Sequence, residues 1–347
     1  MSRIKEILQT KRILTPRTRQ PGGGFQSLPL GLLAGGEAVP FTVYLKVRPR
    51  GHPRPLYLKC CPKGEVFPPR WQAQMQELKI SRVYIRREER AQALPYVQEK
   101  FKEVLTARAR GNREKARWGY ETALLWLQHL FALDRNHLSQ ELEIGFNLID
   151  NLYEIIVKEK DPGGLALDLW RQEGLPAHGL HSCLLGLGFA RYLGWKEKDA
   201  KALGFTALVH DVGMTEVPRN ILEKPHPLTH TEKGVIHNHP QAGFTILWNS
   251  PFCRWRSLLT VMQHHENCDG SGYPERLKLR QIHPWARILR ILDSFEAMVS
   301  TRHWRAARPP KEALWSLRRD WEKNRVYDPD YLSLFIKFLA GSRILGT

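Results

Sequence analysis

Residues 210–243 read HDVGMTEVPRNILEKPHPLTHTEKGVIHNHPQAG, residues 261–274 read VMQHHENCDGSGYP, and residues 287–298 read RILRILDSFEAM. They hold an adjacent His210-Asp211 pair, His239 followed by Pro240, an adjacent His264-His265 pair, a Gly272-Tyr273-Pro274 turn and Asp293 in an apolar run. A neutral imidazole offers one lone pair and suits borderline metals, and a carboxylate can bridge two ions. With one more His from upstream, these side chains are the right inventory for a pair of octahedral ions that share one Asp and one water. No thiolate is among them, so the set points to Fe, Mn, Ni, Co or Zn and away from a structural thiolate zinc. A water held between two cations loses a proton near neutral pH. It can then attack phosphorus while both metals hold the phosphoryl oxygens.

The order HDVG with VPRNILEKPHPLT after it, HPQAG, HHENCDGSGYP, RILRILDSFEAM and TRHWR (301–305) resembles the HD-GYP domain, the cyclic di-GMP phosphodiesterase branch of the HD phosphohydrolase superfamily. The resemblance covers about residues 165–340, half of the chain. It implies an all-helical domain and a binuclear metal site, with Fe or Mn the first expectation for the two divalent ions and Ni, Co or Zn the alternatives. It implies that His210 and Asp211 are ligands, that Asp211 bridges the ions, that Asp293 completes the first metal, and that His239, His264 and His265 complete the second. The family places one more His some thirty residues upstream. His178 and His181 compete for that role, one helical turn apart; spacing favours His178, and the dipeptide His181-Ser182 speaks for the other. Hydrolysis of cyclic di-GMP to pGpG, then GMP, is the implied activity. The bridged hydroxide at His210 and Asp211 would be the nucleophile, and the protein would supply none of its own.

Two departures from the family pattern bear on activity. The HD pair is usually followed by Gly and Lys, and here that Lys position is Met214. A cation lost beside a phosphate removes a charge-assisted hydrogen bond worth ~1.5–3 kcal/mol. A catalytically weak or inactive domain that senses cyclic di-GMP, or docks a partner such as a GGDEF-type cyclase, is therefore the competing expectation. A phosphohydrolase of another nucleotide is the third. Second, where some members carry a Glu that supports a third metal, this chain has Gly174 with Glu173 beside it, so two metals are expected. In the family the Gly272-Tyr273-Pro274 loop is linked to substrate recognition, although these residues also make ordinary tight turns. Arg302 and Arg305 are candidates to grip a phosphate or guanine edge, or else to end a helix in a salt bridge. Lys224 reads as a solvated charge, Cys268 as a small filler, and His226, His230, His237, His283 and His303 as surface or packing histidines.

The rest of the chain sets the frame. Its 347 residues are enough for two domains, and 42% hydrophobic with 10% aromatic residues is a globular composition. No apolar run approaches the ~20 residues needed to cross a bilayer, and the basic start MSRIKEILQTKRILTPRTRQ lacks a signal-peptide core. The five cysteines include the adjacent Cys60 and Cys61 and no CxxC, which fits reduced thiols and a cytoplasmic protein. The net charge of +18 is uneven: residues 1–120 hold 25 Lys and Arg against nine Glu and no Asp. That basic third allows an anionic partner, but its charges are scattered. A solvated face is the simpler reading, and nucleic acid is not the favoured partner.

Residues 1–36, with PGGGF at 21–25, read as a flexible leader. Residues 37–110 read as a small α/β module without a catalytic motif: strands at 41–47, 56–60 and 82–85, and helices at 71–79 and from about 94 to 105. Residues 111–164 read as a helical connector. In it Leu138, Leu142, Phe146, Ile149, Leu152 and Ile156 share one face, and Asp161-Pro162-Gly163-Gly164 stops the helix. Further helices are expected over 165–193 and 197–210, and residues 165–347 as a whole read as the HD-GYP domain. The fold class is therefore mainly α, an all-helical HD-type domain preceded by a small α/β domain. Oligomeric state is not legible.

Overall fold

The computed structural model describes residues 13–14, 24–48, 55–133, 135–170, 174–222, 224, 226–301 and 305–342. It divides into two compact units, Met1–Arg110 and Gly111–Thr347.

The first unit carries strands β1 (Ile13–Leu14), β2 (Phe25–Pro29), β3 (Val43–Val47), β4 (Leu56–Cys61) and β5 (Arg82–Arg86), with helices α1 (Pro69–Glu77) and α2 (Arg90–Thr106). The sheet is antiparallel in the order β1-β4-β3-β5-β2. Alternation does the sorting. Leu28, Leu56, Leu58, Val83 and Ile85 are buried, whereas their neighbours Ser27, Tyr57 and Tyr84 are only half-buried. The strand Phe25–Pro29 lies where the sequence reads as loop, and it pairs with β5 from Phe25↔Arg86 to Pro29↔Arg82. The glycine run in front of it hides a two-residue period that only the pairing with β5 makes visible.

The second unit is helical: α3 (Asn112–Leu130), α4 (Arg135–Val157), α5 (Pro162–Asp168), α6 (Leu175–Tyr192), α7 (Glu197–Val209), α8 (Arg219–Leu222), α9 (His230–His237), α10 (His239–Leu247), α11 (Trp255–Gln263), α12 (Pro284–Val299), α13 (Pro310–Asn324) and α14 (Pro329–Ala340). Proline stands in the first turn of α5, α6, α10, α12, α13 and α14. Its fixed φ suits that position, and its missing N–H is no loss there. The tetrapeptide Asp161–Gly164 starts a helix as much as it ends one. The Asp161 carboxylate accepts the Gly164 N–H at 2.8 Å and caps α5. In α4 the expected face is the buried one, with Leu138, Leu142, Ile149, Leu152 and Ile156 at most 1% exposed.

The central element is α6. Every residue from Ala177 to Ala190 is buried, so this helix has no solvent face. It packs against α3, α4, α5, α7 and α12. A polar side chain on such a helix must find its partner inside the protein, because leaving it unpaired costs a few kcal/mol. Of the polar side chains in that buried stretch, His178 and His181 have such partners, and the Ser182 hydroxyl has none among the described residues.

Candidate metal centre

Five backbone features bring the motif residues together. Val209 ends α7, and His210 follows it as the cap residue. Asp211 then opens a 3₁₀ turn, Val212–Glu216. His239 begins α10, and His264 caps the end of α11 with His265 next. Asp293 lies mid-way along α12. The turn after Asp211 sits tight against α10. A Cβ on Gly213 would lie 2.0 Å from the His239 carbonyl oxygen and 2.5 Å from the Gly243 nitrogen. The glycines of HDVG and HPQAG are thus where two backbones touch, and that contact fixes His239 relative to Asp211.

Helix geometry also sets the imidazole tautomers. Nδ1 of His210 lies 2.8 Å from the Ala207 carbonyl, that of His239 2.7 Å from Ile236, and that of His264 2.7 Å from Val261. Only a protonated Nδ1 can donate to these carbonyls, so each ring keeps its proton there and presents a bare Nε2. His178 is oriented differently: its Nδ1 donates to Glu296 at 2.5 Å.

The bare nitrogens converge on two carboxylates. Asp211 Oδ1 faces Nε2 of His239 at 3.2 Å and of His264 at 3.6 Å. Its Oδ2 faces Nε2 of His178 and of His210, both at 3.7 Å. Asp293 Oδ1 lies 3.0 Å from His178 Nε2, and its Oδ2 lies 3.9 Å from His265 Nδ1. Two groups able to hold a cation result, one of Asp211, His239, His264 and His265, the other of His178, His210 and Asp211. They share Asp211.

The residues fit a metal. The Nε2 atoms of His239 and His264 stand 3.1 Å apart, and with both Nδ1 protonated two lone pairs face each other. His210 Nε2 is buried and has no hydrogen-bond partner among the described residues. Such an arrangement is costly without a positive charge in the middle. The titration tendencies of the metal-free centre say the same. Burial opposes charge on Asp211, yet His210, His239 and His264 hold its carboxyl well below the usual range. Asp293 is likewise held low against burial, by His178 first. Burial pushes His210 down to about 4 and, aided by His264, pushes His265 down too, so both stay neutral. Burial also acts against His178 and His239, but the carboxylates outweigh it and raise both, Glu296 and Asp293 for the first and Asp211 for the second. Protons are drawn to where a cation would sit.

The other expected residues fall as follows. His181 does not reach the cluster; its Nδ1 meets Glu296 at 3.0 Å and its Nε2 meets the Tyr120 hydroxyl at 2.9 Å. The 272–274 loop closes over His265. The Tyr273 N–H donates to the His265 carbonyl at 3.2 Å, and its ring stacks on His265 at 4.7 Å and on His237 at 4.0 Å. A Cβ on Gly272 would lie 2.3 Å from the Asn267 nitrogen, which explains the glycine. His237, expected as a bystander, is therefore an exposed ring lying on Tyr273. Arg305 is turned away: its guanidinium donates to the carbonyls of Ala297 and Met298 near the end of α12, and the Met298 carbonyl also accepts the Arg308 N–H at 3.0 Å. Arg302, His303 and Glu173 lie outside the described residues. Met214 is half-buried in the 3₁₀ turn, its N–H on the Asp211 carbonyl at 2.8 Å. Lys224 is not simply solvated, since it holds Glu232 at 2.7 Å.

Three residues escaped the sequence reading. Glu296 is 1% exposed and binds His178, His181 and Ser300. Glu266, also 1% exposed, accepts the N–H groups of Glu275 and Leu277 and so shapes the loop around Tyr273. Arg290 lies 3.6 Å from Asp293 and is held by Asn267 and Ser294. Arg290, Asp293 and Glu296 recur every third residue on α12. That period was the available signal, and the apolar run around it hid its meaning.

Residues 181–331 match the family model of the HD domain. The cyclic di-GMP phosphodiesterase PA4108 of Pseudomonas aeruginosa is 36% identical over 163 residues, 46% of this chain and 38% of that protein. A cyclic di-GMP phosphodiesterase of Thermotoga maritima is 35% identical over 43% of this chain and 40% of its own length. The 3'3'-cGAMP-specific phosphodiesterase 1 of Vibrio cholerae is 34% identical over 40% of this chain and 32% of its own. The matched region thus spans about two fifths or less of these relatives. Among solved structures, Bd1817, an HDG"Y"P protein from Bdellovibrio bacteriovorus, superposes with a TM-score of 0.63 over 91% of this chain and all of that one; at 16% identity the likeness is one of fold.

Proposed function

From the premise that residues 181–331 form an HD domain, we propose that this chain is a metal-dependent phosphodiesterase that hydrolyses cyclic di-GMP to pGpG and then GMP. The observation that carries the reading is the sharing of Asp211 by two convergent ligand groups. On this reading His178, His210, Asp211 and Asp293 hold one divalent ion, and Asp211, His239, His264 and His265 hold a second. Nitrogen and oxygen donors without sulfur suit Fe or Mn first, with Ni, Co or Zn as alternatives. Bound there, such ions would acidify a water and withdraw charge from a phosphoryl oxygen.

The chain's own residues then do the positioning. The backbone contact at Gly213 fixes the distance between Asp211 and His239. Tyr273 closes the side of His265. Burial first, then Asp293 and Asp211, keep its hydroxyl protonated, so it is a hydrogen-bond donor for an anionic ligand. The close approach of Gly272 to the Asn267 backbone and the stacking on His265 and His237 hold that ring in place, with Pro274 next in the loop. Arg290 sets a cation 3.6 Å from Asp293, so Met214 does not leave the centre without positive charge. Burial pushes the thiols of Cys253 and Cys268 up to about 12, which keeps them un-ionised and poor nucleophiles. The test is to incubate the metal-loaded chain with cyclic di-GMP and with 3'3'-cGAMP and to separate the products. Turnover of cyclic di-GMP that disappears in Asp211→Ala is expected; turnover that survives the substitution contradicts the mechanism.

A second reading rests on Met214, an uncharged side chain where the resemblance places a lysine. The centre would then bind cyclic di-GMP without turning it over and act as a sensor or a dock for a signalling protein. Tight binding with no product, and turnover gained in Met214→Lys, would favour it.

A further inference from the structure

We propose that Glu296 is the positioning residue for His178, and that His181 and Tyr120 in turn hold Glu296, so that a helix outside the HD-matched segment helps to set how tightly the centre binds its cation. This rests on reading the cluster as a metal centre.

The need for Glu296 follows from where His178 sits. His210, His239 and His264 stand at helix ends and steady their Nδ1–H on a carbonyl three residues back. His178 lies within α6, where the backbone carbonyls serve the helix itself, so its ring must find another acceptor. Glu296 supplies it with Oε2 at 2.5 Å. A carboxylate on the far nitrogen fixes the tautomer, orients the ring and makes the near nitrogen a better donor to a metal than a carbonyl would.

Glu296 is held in its turn. Its Oε1 accepts from His181 Nδ1 at 3.0 Å and from the Ser300 hydroxyl at 2.5 Å. The Ser300 oxygen accepts the Trp170 indole N–H at 2.7 Å. With Nδ1 of His181 protonated toward Glu296, its Nε2 accepts from the Tyr120 hydroxyl at 2.9 Å. The donors converge on Glu296: Tyr120 on α3 donates to His181, His181 donates to one carboxylate oxygen, and His178 donates to the other. Tyr120, His181 and Glu296 are each at most 2% exposed, so water cannot replace a lost link cheaply. His181, which lies outside the ligand cluster, thus has a defined task one step behind it.

The experiment measures cobalt(II) affinity by chelator competition, together with the visible bands of the bound ion, on the full chain and on four variants. Glu296→Gln should bind cobalt about 10- to 100-fold more weakly with altered bands, the usual effect of losing such a partner. Glu296→Asp, which keeps the charge, should recover part of the loss. Tyr120→Phe keeps the ring stacked on His181 and should weaken binding severalfold. A folded Glu296→Gln protein with wild-type affinity and spectrum overturns the proposal. If that variant does not fold, Tyr120→Phe decides, and wild-type affinity in it overturns the relay. His210→Ala serves as the control. If it too binds cobalt as the wild type does, the metal-centre reading has failed, not the role of Glu296.

Discussion

Replacing Gly213 with alanine tests whether the HDVG turn fixes the centre. The added Cβ would lie 2.0 Å from the His239 carbonyl oxygen, where real Cβ atoms essentially never come within 3.0 Å. Neither atom belongs to a flexible side chain, so the turn and α10 must part by about 1 Å, a shift large enough to cost ~100-fold in a positioned site. His239 rides on α10, and its 3.2 Å approach to Asp211 opens by a similar amount. Overpacking of this kind costs ~3 kcal/mol, which for a unit of this size is roughly 6–12 °C in Tm. The assay is thermal unfolding of Gly213→Ala with and without manganese, alongside metal content. The expected result is a lower Tm and the loss of metal on the His239 side. A variant that melts and binds metal like the wild type would refute the claim that backbone contact sets the ligand distance.

Other outcomes follow from the same geometry. In the metal-free protein the raised His178 and His239 add stability that is full below the unfolded value of about 6.5 and is lost as pH rises through their folded values. The lowered His210 and His265 add stability present above about 6.5 and lost as pH falls. Stripped protein should therefore melt highest near pH 6.5, and manganese should move the optimum upward because it displaces protons; a flat profile unaffected by metal would contradict this. Tyr273→Ala should lower stability by about 1–3 kcal/mol, through two lost ring stacks, and leave metal content unchanged. Loss of metal in it would mean that the loop holds the ligands rather than covers them. Met214→Lys should raise turnover by about 10- to 100-fold, the size of one charge-assisted hydrogen bond, and unchanged kinetics would remove that position from the account.

The difference between what could and could not be read from the chain lies in range. The bunched motifs at 210–211, 239, 264–265 and 293 were legible because imidazoles and carboxylates at those spacings have few other uses. The amphipathic face of α4 was legible because helical periodicity is local. The Tyr120–His181–Glu296 chain was not, since it joins residues 61 and 115 positions apart and each looks ordinary by itself. Phe25–Pro29 was missed for the same reason: its partner strand lies more than fifty residues downstream. Chemistry alone left Arg305 between gripping a phosphate and ending a helix, and its guanidinium is bound to the Ala297 and Met298 carbonyls at the end of α12.

The most direct test of the central claim is elemental analysis of the purified chain beside Asp211→Ala. Two transition-metal ions per wild-type chain and neither ion retained in the variant is the predicted result, because one carboxylate serves both ligand groups. A wild-type chain that takes up no metal, or a variant that keeps both ions, would contradict it.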